Sequence, residues 1–72
     1  MPVVRAAEVT RVAERLGFVL DRQRGSHAVY YRAADGARVV IPMHAGRDLK
    51  PKTLSGILND LGVTPDEFRK LL

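Results

Sequence analysis

The residue best suited to chemistry in this sequence is His27, one of two histidines among 72 residues. It follows Gly25 and Ser26 at a predicted turn between two strands, and Arg22 and Arg24 stand just before it. Imidazole exchanges protons near neutral pH, and guanidinium groups bind phosphate oxygens. Metal-free RNA cleavage needs a proton removed from the 2′-hydroxyl and one given to the departing 5′-oxygen. The pattern predicts RNA cleavage with His27 as general acid/base, or RNA binding; a structural histidine is the alternative.

The second histidine, His44, follows the third predicted strand. Because strands two and three are predicted to be antiparallel, His27 and His44 are expected at the same end of the sheet. As acid and base they would complete a transphosphorylation that leaves a 2′,3′-cyclic phosphate. A loop histidine that only binds RNA is an equal alternative. With no cysteine, and no carboxylate at ligand spacing, we expect neither a metal site nor a cofactor.

The basic residues are concentrated in the middle of the chain. Residues 21–52 hold seven basic and three acidic side chains, and seven minus three accounts for the whole net charge of +4. A localised positive surface favours an anionic partner, and nucleic acid before a membrane. A solvated surface charge is the alternative for each residue alone. The predicted RNA-binding set is Arg22, Arg24, Gly25, Ser26, Arg47, Lys50 and Lys52.

The composition is that of a small globular protein. Hydrophobic residues make up 46% of the chain, so we expect one domain, residues 1–72. The absence of cysteine excludes disulfides, thiolate metal sites and a cysteine nucleophile. No apolar run reaches the roughly 18 residues of a membrane span. We therefore expect a cytoplasmic protein with no membrane partner.

Hydrophobic periodicity predicts a helix, three strands, a second helix and a short last helix. The predicted ranges are 6–16 for the first helix, 18–23, 27–32 and 38–41 for the strands, 51–61 for the second helix and 65–72 for the last. Three antiparallel strands cannot bury both faces, so we predict an α+β fold with both main helices on one face of the sheet. The other face is expected to stay open.

Alternation along the strands predicts which residues enter the core. Tyr30 and Tyr31 point to opposite faces, so one is expected in the core and the other on the open face. Gly56 stands in the middle of the second helix, where close packing against the sheet would account for it. The predicted core is Phe18, Leu20, Val39, Ile41, Leu54, Ile57, Leu58 and Leu61.

Several short motifs follow one another at fixed spacings along the chain. They are Leu16-Gly17-Phe18, Arg24-Gly25-Ser26-His27, Asp35-Gly36, Ile41-Pro42-x-His44 and Leu49-Lys50-Pro51-x-Thr53-Leu54-x-x-Ile57-Leu58. This ordered set resembles the HicA family of toxins, which are small ribonucleases of type II toxin–antitoxin systems. The resemblance extends from the first helix to Leu71-Leu72.

The resemblance implies a fold like that of the double-stranded RNA-binding domain, α-β-β-β-α. It also implies mRNA cleavage and neutralisation by a HicB-like antitoxin that covers the active site. The family's essential histidine falls on His27 and its motif glycine on Gly25. Many members have a second histidine directly after the first, where this chain has Ala28, so that position is given no catalytic role. The free toxin is expected to be a monomer that forms a hetero-oligomer with the antitoxin.

Two non-catalytic functions are alternatives to the nuclease. An RNA-binding module of the same fold would need the basic residues and the open face but would tolerate the loss of His27. A protein-interaction module would use the open face for one partner. His27 beside Gly25 favours the enzyme, because neither alternative requires a histidine there.

Overall fold

A computed structural model of the protein describes residues 3–44 and 46–72, so residues 1, 2 and 45 of the predicted domain lie outside it. The elements are α1 (Ala6–Arg15), β1 (Val19–Arg24), β2 (His27–Arg32), β3 (Ala37–Pro42), α2 (Pro51–Leu61) and α3 (Pro65–Leu71). The strands form one antiparallel sheet in the order β1-β2-β3. The predicted α+β architecture, α-β-β-β-α with a short C-terminal helix, is confirmed.

Local sequence signals determine where α2 and α3 begin and end. Pro51 occupies the first turn of α2, and Gly62 closes that helix in the left-handed region with φ of 78°. Thr64 caps α3: its hydroxyl accepts from the Glu67 N–H at 3.1 Å, and the Glu67 carboxylate accepts from the Thr64 N–H at 2.8 Å. This reciprocal pair is a capping box, as the sequence predicts.

The core lies between the helices and one face of the sheet. Both α1 and α2 contact β3, and α1 also contacts α3. Phe68 of α3 is completely buried in the same cluster, so the last helix is part of the core. The sheet residues that face the helices and are buried are Ala28, Tyr30, Val39 and Ile41.

The prediction that Leu20 belongs to the core is wrong. Leu20 lies opposite Tyr30 on the helix side of the sheet, yet 52% of its surface is exposed. It belongs to the edge strand β1, whereas α1 and α2 pack over β3 at the other edge. A bulge between Leu20 and Arg22 also interrupts the alternation of β1, and all six residues of the strand are exposed.

The two tyrosines divide between the faces as predicted. Tyr30 is buried, and burial together with the nearby charge of Glu14 raises the pKa of its hydroxyl. Tyr31 is half-buried on the other face, with the Arg38 guanidinium 5.3 Å from the centre of its ring. Gly56 differs from the expectation, because it is exposed and an added Cβ would meet nothing within 4 Å. Close packing therefore does not account for this glycine.

Arg32, the last residue of β2, links the segment before β1 to the turn between β2 and β3. Its Nη1 donates to the Leu16 carbonyl at 2.9 Å, and its guanidinium lies 4.5 Å from the Phe18 ring centre. Its Nε and Nη2 donate to the two carboxylate oxygens of Asp35 at 3.0 and 2.8 Å. These hydrogen bonds hold the pKa of Asp35 at about 2, below its usual 3.8.

Candidate active site

His27 is held by strand pairing on both sides. It is the first residue of the central strand β2, opposite Arg24 of β1 and Pro42 of β3. The next residue, Ala28, is buried against the helices, so the alternation of the strand places the His27 side chain on the open face. The side chain is exposed there. The backbone of His27 is therefore fixed while its imidazole is accessible to a ligand.

The turn before His27 is tied to the segment that carries His44. Gly25 has φ of +55°, a conformation that glycine adopts without the strain imposed on other residues, and an added Cβ would meet nothing within 4 Å. Gly25 is therefore needed for its backbone conformation and not for space. The Ser26 carbonyl accepts a hydrogen bond from the Met43 N–H. This bond extends the β2–β3 pairing and draws the two histidine-bearing segments together.

A cleft of about 350 Å³ opens beside His27. It lies where the beginning of β2 and the end of β3 meet the following loop and the first turn of α2. Both histidines line it, which confirms that they share one end of the sheet. The lining residues are His27, Pro42, His44, Arg47, Asp48, Leu49, Lys50 and Thr53.

The charges that line this cleft are mainly positive. Arg47 and Lys50 are both exposed, so their cationic groups are accessible. The single lining carboxylate, Asp48, accepts from the Arg5 Nε at 3.4 Å. Because Arg5 lies across from Asp48 in an isolated bridge, this cation offsets the negative charge at the border of the cleft. The balance suits an anion with several oxygen atoms, such as a phosphodiester.

The first turn of α2 adds backbone donors to the same region. Lys50 is the N-cap of α2, it makes no side-chain capping bond, and the first turn contains no acidic residue. The free N–H groups of a helix start carry partial positive charge and bind phosphate. Thr53, in this first turn, faces the cleft. Lys52 lies in the same turn and is exposed, but it does not line the cleft.

The arginines of β1 lie on the open face and outside the cleft. Arg24 is directly opposite His27 and Arg22 is opposite Val29, so both side chains share the face of the imidazole. Gly25 and Ser26 form the adjoining turn. The predicted residues thus form two neighbouring groups. His27, His44, Arg47 and Lys50 line the cleft, whereas Arg22, Arg24, Gly25, Ser26 and Lys52 lie outside its lining.

Sequence reasoning did not identify every residue of this region. Thr53 and Asp48 line the cleft, and Arg38 lies on the open face against Tyr31. The spacing of Thr53 after Pro51, which places it in the first turn of a helix, is a signal that could have found it. Asp48 could not be assigned in this way, because its neighbour Arg5 is 43 residues distant in the chain.

The described residues hold neither a cluster of metal ligands nor a helix that could span a membrane. Across residues 3–44 and 46–72, no three or more histidine, cysteine, aspartate or glutamate side chains come together as metal ligands. In that same part of the chain, every helix is too short or too polar to cross a membrane.

Comparison with known families identifies the chain. A search of curated proteins finds no match. A family model described as the HicA toxin of bacterial toxin–antitoxin systems matches residues 6–63. The match runs from the start of α1 to just past α2, so it is shorter than the resemblance and leaves α3 outside. Because it spans most of the 72 residues, including all three strands and both histidines, the chain belongs to the HicA toxin family.

Proposed function

We propose that this toxin is an endoribonuclease that cleaves mRNA without a metal ion, with His27 as a general acid/base. Family membership makes the chain the toxin of a toxin–antitoxin system, which implies an antitoxin partner. The observation that carries the proposed chemistry is the cleft in which His27 and His44 lie beside Arg47 and Lys50. It combines two groups that transfer protons at neutral pH with two that bind phosphate.

The reaction that these groups suit is a transphosphorylation. A histidine takes the proton of the ribose 2′-hydroxyl, and the 2′-oxygen forms a bond to the adjacent phosphorus. The bond from phosphorus to the 5′-oxygen of the next nucleotide breaks, and this oxygen receives a proton from a protonated histidine. The products are a 2′,3′-cyclic phosphate and a 5′-hydroxyl. One proton is taken and one is given, so no oxidant, reductant or further reactant is needed.

The surrounding cations would hold the phosphate during this reaction. Arg47, Lys50 and the start of α2 face the cleft, so they suit the phosphate that reacts. Arg22 and Arg24 lie farther along the open face, where they suit neighbouring phosphates of the same strand. Gly25 and Ser26 would let the backbone approach the RNA closely, because the first has no side chain and the second has a small one. Lys52 would reach a phosphate from outside the cleft.

His44 is assigned the second proton transfer. Its exposed side chain and its place in the same cleft as His27 support this role. The other role is to bind RNA or the antitoxin without transferring a proton. A bell-shaped dependence of kcat on pH that loses one limb in His44→Ala supports the acid/base role. A bell that keeps both limbs in His44→Ala assigns the residue to binding.

The partners follow from the same proposal. The substrate is mRNA, so the site of action is the cytoplasm. The antitoxin is a HicB-like protein that forms a hetero-oligomer with the toxin and covers the cleft, and the free toxin is a monomer. No cofactor is required.

The test is cleavage of a labelled single-stranded RNA in EDTA by the wild type, His27→Ala and Lys70→Ala. Lys70 is an exposed residue of α3 outside the cleft, so it controls for substitution itself. General acid/base catalysis contributes roughly 10²–10⁴ in rate, so His27→Ala should lose about that factor and Lys70→Ala should lose none. Retained cleavage in His27→Ala would show that the catalytic assignment is wrong. RNA binding without cleavage by the wild type would favour the RNA-binding module.

A further inference from the structure

A second cavity shares a wall with the cleft that holds the two histidines. It has a volume of about 320 Å³ and forms where the first turn of α1 meets the segment that follows β3. This space is called the side cavity below. Its lining residues are Arg5, Ala6, Ala7, Met43, His44 and Gly46.

Two features join the side cavity to the cleft. His44 lines both, so this residue forms their common border. Arg5 of the side cavity donates from its Nε to the Oδ1 of Asp48, which lines the cleft, at 3.4 Å. The backbone bridge between these two residues, and the bond from the Leu49 N–H to the Val4 carbonyl at 2.8 Å, fix the start of α1 beside the cleft. A ligand bound in the cleft therefore lies next to the side cavity.

The walls of the side cavity suit a flat aromatic group. Ala6 and Ala7 bring only methyl side chains, which leave room beside the helix. Met43 is half-buried, and the thioether of methionine makes favourable contacts with aromatic rings. Arg5 adds a planar guanidinium group, on which unpaired RNA bases commonly stack. Its contact with Asp48 restricts how that plane can turn.

Size and charge narrow the choice of ligand. Pockets for whole small molecules occupy about 300–1,000 Å³, so a cavity of about 320 Å³ has room for one compact group. Among the described residues, those that line the side cavity include one permanent cation, Arg5, and no carboxylate. A lysine or arginine of a protein partner would meet no counterion there. A base carried on an anionic backbone suits both Arg5 and the positive cleft beside it.

We propose that the side cavity binds the nucleobase of a nucleotide whose phosphate lies in the cleft. The inference rests on the proposed function, which makes RNA the ligand of the cleft. A base held next to the reacting phosphate positions the strand for the reaction. The choice of the bond that is cut then depends on the base that fills the side cavity.

The test compares two variants of the side cavity with a matched control. Ala7→Leu adds bulk to the wall, and Arg5→Lys keeps the positive charge but removes the planar group. Ala34→Leu is the control, because Ala34 is exposed in the turn between β2 and β3 and lies outside the side cavity. Every protein also carries His27→Ala, so that RNA stays intact, and circular dichroism verifies the fold.

Binding is measured by fluorescence anisotropy in EDTA with two labelled probes of equal length. One probe is a single-stranded RNA of mixed sequence, and the other is the same ribose–phosphate backbone without bases. The comparison separates contacts to the bases from contacts to the phosphates. Cleavage of the RNA by the wild type is measured in parallel.

We expect Ala7→Leu and Arg5→Lys each to raise the Kd for the RNA at least about fivefold, the effect of losing one stacked base. Their Kd for the backbone without bases should stay within about twofold of the value for His27→Ala alone, and Ala34→Leu should change neither Kd. An unchanged Kd for the RNA in both cavity variants overturns the proposal. An equal rise for both probes also overturns it, because the side cavity would then contact the backbone. If the wild type cuts no RNA, the proposed function fails, while the Kd values still decide the role of the side cavity.

Discussion

Replacing Lys50 by alanine should weaken the dependence of RNA binding on salt, because Lys50 lines the cleft at the start of α2. Five cations are assigned to phosphate contacts: Arg22, Arg24, Arg47, Lys50 and Lys52. Each contact to a single strand adds roughly −0.7 to the slope of log K against log salt, so five contacts give roughly −3.5. Raising the salt from 50 to 200 mM would then weaken binding by roughly 130-fold. With Lys50 removed, the slope becomes roughly −2.8 and the loss roughly 50-fold.

The assay is fluorescence anisotropy of a labelled single-stranded RNA at several salt concentrations. Every protein carries His27→Ala and the buffer contains EDTA, so that the RNA stays intact. Lys70→Ala is the matched control, since this exposed lysine lies on α3 and outside the cleft. The slope of the protein with His27→Ala alone should persist when Lys70→Ala is added and should become shallower by roughly 0.7 when Lys50→Ala is added. Equal slopes for the two lysine variants would refute the assignment of Lys50 to a phosphate.

Four further substitutions concern stability, each measured by urea or thermal unfolding. Phe68→Ala should destabilise the protein by about 3–5 kcal/mol, because Phe68 is fully buried even though α3 lies outside the family match. A loss of stability below about 1 kcal/mol would contradict the place of Phe68 in the core. Gly25→Ala should cost about 1–2 kcal/mol through its positive φ. Gly56→Ala should instead stabilise the protein by up to about 1 kcal/mol. If both glycine substitutions changed the stability in the same direction, the argument from backbone conformation would be wrong. Hydrogen bonds to Arg32 lower the pKa of Asp35 to about 2. The ionised carboxylate therefore stabilises the folded protein fully above about pH 4, and this stabilisation is lost as the pH falls from about 4 to about 2. The difference in Tm between wild type and Asp35→Asn should therefore shrink over that range; a constant difference would count against the pair.

The fold was predictable because its boundaries are encoded locally. Pro51 and Gly62 mark the two ends of α2, and the Thr64 capping box begins α3. Each signal acts within a few residues and needs no tertiary contact. Four of the six predicted strand ends differ from the observed ends by one residue, and the other two coincide.

Leu20 shows where local reasoning stops. Alternation with Phe18 places it on the core side, and that side is correct, but burial depends on which strand the helices cover. The helices pack over β3 and leave the edge strand β1 exposed. Which strand the helices cover depends on long-range packing, and the two-residue alternation of a strand gives no information about it.

The candidate site was also predictable only in part. Antiparallel pairing was enough to bring His27 and His44 to one end of the sheet. The shape of the cleft was not predictable, because it depends on contacts between distant segments. The hydrogen bond from Met43 to Ser26 and the bridge between Arg5 and Asp48 are two of these.

The most direct test of the proposed chemistry is the identity of the RNA ends produced in EDTA. Mass spectrometry of RNA cut by the wild-type toxin should find a 2′,3′-cyclic phosphate on one fragment and a 5′-hydroxyl on the other. Those ends require the 2′-oxygen as nucleophile and a proton for the leaving 5′-oxygen, which are the steps assigned to the histidines of the cleft. Fragments that carry a 5′-phosphate, or no cleavage in EDTA, would contradict the account.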